Sequence, residues 1–511
     1  MNKSNKLYKS IYKMEKIPII LTLMFMLFVI LNVYMSFQFK SKSNIIIFLF
    51  NILVILSLVF ITKQFKENKS KKIDLIYIPL IIFLISVIIK LFVLILFGQN
   101  TVQVSDFQSA IETSKMSFPL DNIHYRIFYA WGAFVPYLKF IGHFFGNNNF
   151  VFLFLNCIIS SLSISITYYI GYLIFSKWSG LLAAGLFLLS PTMLIHEIIV
   201  TPDFLNIFFL LLFLLFLILF IKVNLRKKWN YLILSFSAIF LAFSGFFKSI
   251  DKLVIITLTI FVIFSFFKYL NIQQSKKRYV KKTIFIVLCF FSVYSLSRIG
   301  LFNFLDYYYN GTVVRNPMGH YIYEGLSPKG RGTWDENLSK VYPDLIIKNN
   351  FNYEESNREI INILVEEINT YGIKEGFFKN KFYISWILEG ETLHFHFRTM
   401  GNEEIVNVNY AQNFLNNYSQ FYYFIILCIS SFTLIINFIK KHHVFITYLT
   451  TFIFGFVLFS LIIEVQARYK IIIYPYLYLI SGYGINLINK NIIIKFLEKK
   501  KIIVKGYRHE V

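Results

Sequence analysis

The stretch IDLIYIPLIIFLISVIIKLFVLILFGQNTVQVSDFQ, residues 73–108, predicts the kind of fold that the chain adopts. Its first 25 residues are apolar apart from Asp74 and Lys90, and roughly 20 such residues cross a bilayer. The chain then becomes polar and presents Asp106. An acid in this position is more often a solvated loop residue. The same position would also suit a general base at the mouth of a cavity between helices. The rest of the chain decides between these interpretations of Asp106.

The composition indicates an integral membrane protein. Of the 511 residues 57% are hydrophobic, and the mean hydropathy is +0.60, which is too apolar for a soluble protein. The net charge of +24 is unevenly distributed: residues 301–420 hold 15 acids against 10 Lys and Arg, a net of −5, which leaves +29 for the rest. The basic clusters lie in short loops beside apolar runs, as the positive-inside rule requires. The charge therefore gives no reason to expect a nucleic-acid partner.

The apolar runs predict an all-α polytopic membrane protein with about 12 transmembrane helices. With the N-terminus inside, the basic loops, including 63–72 and 273–282, fall on the cytoplasmic side, and Lys40 and Lys42 are the one mild exception. The predicted spans are 17–38, 44–62, 73–98, 150–175, 178–197, 203–222, 230–249, 253–270, 283–300, 421–440, 444–463 and 471–490.

This topology divides the chain into three parts. Residues 1–300 form a transmembrane module whose first outer loop is 99–149, residues 301–420 form an extracytoplasmic segment, and residues 421–511 form the last helices and a basic cytoplasmic tail. The run Tyr125–Phe145 is apolar but contains a proline, a lysine and interfacial aromatic residues. A span there would reverse the sidedness of every later loop, so we expect one or two amphipathic helices on the outer surface.

The extracytoplasmic segment shows helical periodicity at Glu354–Asn369, and Gly376–Leu388 is a second predicted helix. Its pair His394 and His396 is best explained as a polar loop face, because no third ligand follows at a metal-binding spacing. The three cysteines lie inside apolar runs and form no disulfide framework or metal motif: Cys157, Cys289 and Cys428. The sequence therefore predicts no metal site, although a divalent cation stays open as a cofactor.

Several charged or polar residues fall at the outer ends of the predicted spans. Each of them alone is more often an interfacial anchor, but acids and cations gathered at one face of a membrane protein focus their electrostatic field. The candidate residues are Asp106, His196, Glu197, Asp203, Lys248, Asp251, Glu464, Arg468 and Tyr469.

The signature Glu464-Val-Gln-Ala-Arg-Tyr469 is the most specific of these signals. An arginine at the membrane boundary can donate two parallel hydrogen bonds to a phosphate while its stem lies along apolar surface. In a helix, Glu464 would hold Arg468 as an i, i+4 pair. The chain has no nucleotide-binding turn, so a phosphate at this depth indicates a lipid-linked phosphate.

The order and spacing of these motifs resemble the GT-C superfamily of polyprenyl-phosphate-sugar-dependent glycosyltransferases, in particular bacterial protein-mannosyltransferase-like and lipid A aminoarabinose-transferase-like members. The resemblance covers roughly residues 102–480. It rests on Val104-Ser-Asp-Phe107, Tyr125–Asn147, the Pro…Asp pattern of Leu189–Asp203, Gly245-Phe-Phe-Lys248 and the Glu…Arg-Tyr…Pro pattern of Glu464–Pro475.

This resemblance implies that a sugar moves from a polyprenyl-phosphate donor to an envelope glycan, lipid or protein at the outer face of the plasma membrane. It implies an inverting reaction in which Asp106 is the general base. The donor phosphate would be bound by Arg468 together with Lys248. Many relatives carry paired acids in the first loop, whereas here Phe107 follows Asp106 and the nearest second acid is Glu112. That difference puts a divalent metal in doubt.

Two other functions remain open from the sequence. A polysaccharide polymerase of the Wzy type has about a dozen spans, a large outer loop and a lipid-linked substrate, but it needs no acid in the first loop. A transporter should show two related halves and charges near the bilayer centre. Only Lys90 raises that question here.

Overall fold

The computed structural model describes residues 14–36, 42–64, 71–97, 103, 105–117, 122–222, 227–270, 276–389, 408–439 and 443–488. These residues form helices and no strand. Ten of the helices in the described part are long and apolar enough to cross a membrane. The prediction of an all-α polytopic membrane protein is therefore confirmed. The predicted histidine pair His394 and His396 lies outside the described residues.

The long apolar helices account for ten of the predicted spans. An eleventh predicted span, 253–270, corresponds to the 20-residue helix α12. The helices are α1 Ile17–Ser36, α2 Lys42–Gln64, α3 Lys71–Phe97, α7 Asn149–Ile174, α10 Asp203–Lys222, α11 Lys227–Phe247, α12 Asp251–Leu270, α13 Lys276–Tyr308, α18 Val408–Ile439, α19 Val444–Ile462 and a last span α20 at Ala467–Ile488, which begins as a 3₁₀ helix.

The predicted span 178–197 is wrong as a single helix. The chain instead forms α8, Lys177–Leu188, and the short α9, Pro191–His196. The break has a local cause: the Ser190 hydroxyl accepts a hydrogen bond from the Met193 N–H, and Pro191 occupies the first helical position, where no N–H is needed.

The first loop contains three helices and no further span. They are α4 Asp106–Ser114, α5 Ile123–Ile127 and α6 Tyr129–Phe145. The side chain of Asn122 accepts a hydrogen bond from the Tyr125 N–H and so caps α5. Helix α6 has 17 residues, which is the lower limit of the length that crosses a bilayer, and it contains Pro136. The prediction of helices over Tyr125–Phe145 is confirmed, and their location at the outer surface stays a prediction.

The spans pack around one shared apolar core. Helix α7 contacts α3, α8 and α10, and α10 in turn packs on α11, whereas α1 packs on α18 and α19. Close crossings depend on small residues: a Cβ on Gly171 would lie 2.7 Å from Gly180 Cα, and one on Gly482 would lie 2.7 Å from Ala183 N. Small residues at such crossings let helix backbones approach inside a membrane.

Between α13 and α18 lies a helical region that we call the extramembrane segment, residues 309–389. It contains α14 Met318–Leu326, α15 Glu336–Lys348, α16 Tyr353–Tyr371 and α17 Phe377–Phe382, which continues into a wider π-type turn at Tyr383–Ile387. Its apolar core includes Tyr342, Ile346 and Ile360, all fully buried. The two helices predicted here, at Glu354–Asn369 and Gly376–Leu388, are thus present with slightly different bounds.

Candidate active site

A cavity of about 130 Å³ lies where the ends of several helices meet. The first loop, the turn between α11 and α12, the extramembrane segment, α19 and the start of α20 all contribute to its wall. Its charged residues are Asp203, Lys248 and Arg468. The apolar and aromatic part of the wall includes Trp131, Phe247, Met318, Tyr321, Phe456, Phe459, Ile463, Tyr469 and Ile472.

Asp203 and Lys248 form an ion pair in this wall. Lys248 Nζ lies 2.5 Å from Asp203 Oδ1, and the lysine side chain is 24% exposed against 4% for the aspartate. On the other side, the His196 Nε2–H donates to Asp203 Oδ2 at 3.1 Å. Asp203 is the first residue of α10, where the helix dipole favours a negative charge. Burial lowers the pKa of Lys248, while the negative charge of Asp203 acts against that shift.

His196 itself is completely buried at the end of α9. A neutral imidazole can donate one hydrogen bond from Nε2. His196 therefore holds the Asp203 carboxylate in place and does not line the cavity itself.

The Glu464–Tyr469 signature reaches the cavity in a way that differs from the prediction. Arg468 Nε donates to Gln466 Oε1 at 2.8 Å, and Gln466 Nε2 donates to Glu464 Oε1 at 2.7 Å. The Tyr469 hydroxyl donates to Glu464 Oε2 at 3.1 Å. The helical i, i+4 pair is wrong, because α19 ends at Ile462 and Gln466 has an extended backbone. The glutamine bridges the acid and the arginine instead.

The extended backbone at Glu464 is held by the extramembrane segment. The Glu464 N–H donates to the Tyr321 carbonyl at 2.8 Å, and the Val465 N–H donates to the Gly332 carbonyl at 3.0 Å. Gly325 makes this approach possible, because a Cβ there would lie 2.3 Å from the Ile463 carbonyl carbon. Burial raises the pKa of Glu464.

Two cations face the ring of Tyr469. Lys248 Nζ lies 4.7 Å from the ring centroid, and the Arg468 guanidinium carbon lies 5.8 Å from it. Arg468 also lies 5.2 Å from the ring of Phe107 in the first loop. Like charges gathered in a partly desolvated cavity repel each other, and an anion bound between them relieves that repulsion.

Asp106 is not one of the residues that line the cavity. It is half-buried at the first position of α4. The next residue, Phe107, is 1% exposed, contacts Arg468 and meets the cavity residue Trp131 at a ring distance of 5.5 Å. Ser105, the residue before it, has φ 55° and ψ −137°, a strained conformation for a residue with a side chain.

Glu197 is separated from this group. It is buried in an ion pair with Lys90 of α3, and the Ser160 hydroxyl donates to the same carboxylate at 2.6 Å. Charges buried at membrane depth are costly unless they are paired. Lys90, the residue that raised the question of a transporter, thus has a structural partner.

Sequence analysis missed Arg298, a charge inside the long apolar helix α13. It forms an ion pair with Asp251, which follows Lys248 by three residues, and the Tyr294 hydroxyl donates to the same carboxylate. Nearby, the hydroxyls of Tyr129 and Ser249 are 2.6 Å apart and join the first loop to the turn that carries Lys248. An isolated arginine in an apolar run was the available signal.

Among the side chains that the structure describes, no group of three His, Cys, Asp or Glu is arranged to hold a metal ion. Glu112, the second acid of the first loop, is exposed and accepts a hydrogen bond from the Gln108 side chain at 2.7 Å.

Comparison with known proteins points to one class. Residues 134–295 match the family model of dolichyl-phosphate-mannose-protein mannosyltransferases. The matched range contains His196, Glu197, Asp203 and Lys248, and it excludes Asp106 and Arg468. The match confirms the resemblance to the GT-C superfamily and supports glycosyltransferase activity. No curated protein matches the chain.

Among solved structures the chain is similar to the oligosaccharyltransferase of Archaeoglobus fulgidus. The apo form has a TM-score of 0.47 and 12% identity, and the alignment covers 84% of this chain and 52% of that one. A second structure, AglB of the same organism with an inhibitory peptide and a dolichol-phosphate, has a TM-score of 0.46 and 13% identity, with 83% and 52% covered. The chain thus spans about half the length of these oligosaccharyltransferases.

Proposed function

We propose that this membrane protein is a glycosyltransferase that moves a sugar from a polyprenyl-phosphate-linked donor to an acceptor at the outer face of the plasma membrane. The match to a family named for dolichyl-phosphate-mannose supports the donor class. The acceptor would be an envelope glycan, lipid or protein. The sidedness follows from the distribution of basic loops, which leaves the ends of the spans around the cavity on the extracytoplasmic side.

The observation that carries the proposal is the pair of cations at an apolar cavity wall. Lys248 and Arg468 both lie near the ring of Tyr469, at 4.7 and 5.8 Å from its centroid, while α19 presents Phe456 and Phe459 to the same cavity. A phosphate needs donors of positive charge, and a guanidinium binds it with two parallel hydrogen bonds. A lipid tail needs apolar surface. A lipid-linked phosphate needs both at one place.

The reaction would proceed as a single inverting displacement. Asp106 accepts the proton of an acceptor hydroxyl while the hydroxyl oxygen bonds to the anomeric carbon of the donor sugar. The bond between that carbon and the lipid phosphate breaks, and Arg468 and Lys248 stabilise the negative charge of the departing phosphate. A general base contributes ~10²–10⁴ in rate, and stabilisation of developing charge is commonly the largest single contribution.

The other candidate residues have supporting roles in this scheme. Asp203 and His196 hold Lys248, while Glu464 and Gln466 hold Arg468. Both cations lie near the ring of Tyr469, which lines the cavity and would contact the donor. Glu197 has a structural role at the break between α9 and α10, because its carboxylate is paired with Lys90.

A transfer assay tests the proposal directly. Membranes containing the protein receive a radiolabelled polyprenyl-phosphate-linked hexose, and the label that reaches membrane acceptors is measured against membranes from a deletion strain. We expect transfer with the wild-type protein and almost none with Arg468→Ala. A deletion strain that keeps every glycan decoration but makes polymers of altered chain length would instead indicate the polymerase function.

A further inference from the structure

Gln103 is a buried residue of the first loop that binds the break between α9 and α10. Its side chain is 2% exposed. Its Nε2 donates to the Ile198 carbonyl at 3.1 Å, and its Oε1 accepts from the Val200 N–H at 3.0 Å. A backbone N–H can only donate, so the orientation of this amide is fixed by Val200.

The break needs such partners because its backbone is irregular and buried. Ile198, Ile199 and Val200 are all at most 1% exposed, and the chain there is not helical. A buried backbone group without a partner costs several kcal/mol at membrane depth. Asn156 Nδ2 donates to the Ile199 carbonyl at 2.8 Å. Gln103 forms hydrogen bonds with the backbone of the residues on either side, the Ile198 carbonyl and the Val200 N–H. Gln103 is thus joined to the segment that leads to Asp203.

The chain just after Gln103 is fixed at a second point. Three residues later Asp106 begins α4, and α4 is anchored on α6 through Phe107, Ala110 and Ile111, each at most 3% exposed. Ser105 lies between the two fixed points in a strained conformation. Strain of this kind persists only where the surroundings hold both ends of the strained residue.

We propose that Gln103 is a positioning residue that sets the location of the Asp106 carboxylate relative to the cavity cations. The inference rests on the proposed function, in which Asp106 is the base. Gln103 joins the chain that leads to Asp106 to the segment that carries Asp203, and Asp203 in turn holds Lys248. Without this link Asp106 can still accept a proton, but its carboxylate no longer lies within hydrogen-bonding distance of the acceptor hydroxyl.

The first test replaces Gln103 by methionine, which has a similar length and cannot form either hydrogen bond. With the radiolabelled polyprenyl-phosphate hexose, we expect the maximal rate to fall ~10–100-fold, because a misplacement of about 1 Å can cost that much, while the donor KM stays within about twofold. The matched control is Gln108→Met, an exposed glutamine of the same loop, which should keep the wild-type rate. Gln103→Glu keeps an oxygen that accepts from the Val200 N–H. Its maximal rate should therefore lie between those of Gln103→Met and Gln108→Met.

The second test does not depend on activity. In Asp106→Cys, the rate of labelling by a membrane-impermeant maleimide reports the surroundings of this position. Adding Gln103→Met should change that rate at least threefold, and adding Gln108→Met should leave it unchanged. An unchanged labelling rate, or a loss confined to donor KM or to the yield of folded protein, would overturn the positioning role. High activity of Asp106→Asn would instead overturn the proposed function and leave the labelling result intact.

Discussion

Arg468 lines the cavity, so we expect its replacement to weaken binding of the donor phosphate. We expect Arg468→Ala to raise the donor KM tenfold or more and also to lower the maximal rate, because Arg468 binds the donor phosphate and stabilises its charge as it leaves, and a hydrogen bond to a charged group contributes about 1.5–3 kcal/mol. Arg468→Lys should recover only part of the loss, since an ammonium cannot form the bidentate contact of a guanidinium. Donor titrations in the transfer assay measure both. Equal performance of the lysine variant would identify Arg468 as an interfacial anchor.

Asp106 should be needed for the chemical step and dispensable for donor binding. Asp106→Asn keeps the shape of the side chain but cannot accept a proton, so we expect a fall of 10²-fold or more in maximal rate with little change in donor KM. Asp106→Glu should retain little activity, because one methylene displaces the carboxylate.

The comparison acid for Asp106 is Glu112, which is exposed on the same helix. Glu112→Gln should behave nearly as the wild type. Turnover of Asp106→Asn above about a tenth of the wild-type rate would rule out the base assignment.

At the scale of residues the sequence identified Asp203, Lys248 and Arg468, and the structure places all three in the wall of one cavity. It did not indicate Gln466 as the link between Glu464 and Arg468. That link requires the extended backbone imposed by the carbonyls of Tyr321 and Gly332. Contacts between residues over 130 positions apart leave no mark in local spacing, so a helical pair was the natural prediction and was wrong.

At the scale of elements, the turn between α11 and α12 depends on the buried pair of Asp251 and Arg298, which are 0% and 16% exposed. Arg298→Met leaves an uncompensated carboxylate, and breaking a buried pair in this way costs about 3–5 kcal/mol. We therefore expect a lower apparent Tm in detergent and a higher donor KM, because Lys248 lies on the same turn. Thermal shift and donor titration measure the two effects.

The matched control is Arg315, whose ion pair with Asp306 is 40% and 26% exposed. Exposed pairs contribute about 0–1 kcal/mol, so Arg315→Met should shift the Tm little. If both variants lose the same stability, the pair at Asp251 has no special part in holding the turn.

The elements themselves were largely predictable, because membrane helices are long apolar runs and the bilayer fixes their length. The exception was the span 178–197. Ser190 and Pro191 form a helix start inside it, and hydropathy alone does not register such a start. The break is tolerated because Gln103, Asn156 and Lys90 provide partners for its polar groups, and those partners are distant in sequence.

For the whole molecule the prediction concerns sidedness. Lys340 is exposed in the extramembrane segment and Lys281 is exposed near the start of α13. In intact cells we expect an impermeant thiol reagent to label Lys340→Cys and to spare Lys281→Cys, with both labelled after the membrane is opened. The wild-type chain, with its three native cysteines, is the background. The reverse pattern would place the cavity on the cytoplasmic side and exclude the proposed function.

The seating of the extramembrane segment on residues 464–465 has a consequence for how a substrate arrives. Tyr321 and Gly332 bond that backbone directly, and Gly325 leaves no space between them and the end of α19. A route from the aqueous side past this segment would require those bonds to break, whereas the wall formed by Phe456, Phe459 and Ile463 is apolar. We therefore expect lateral entry from the bilayer, so that the donor finds its enzyme by diffusion in two dimensions and turnover rises with its mole fraction in the lipid.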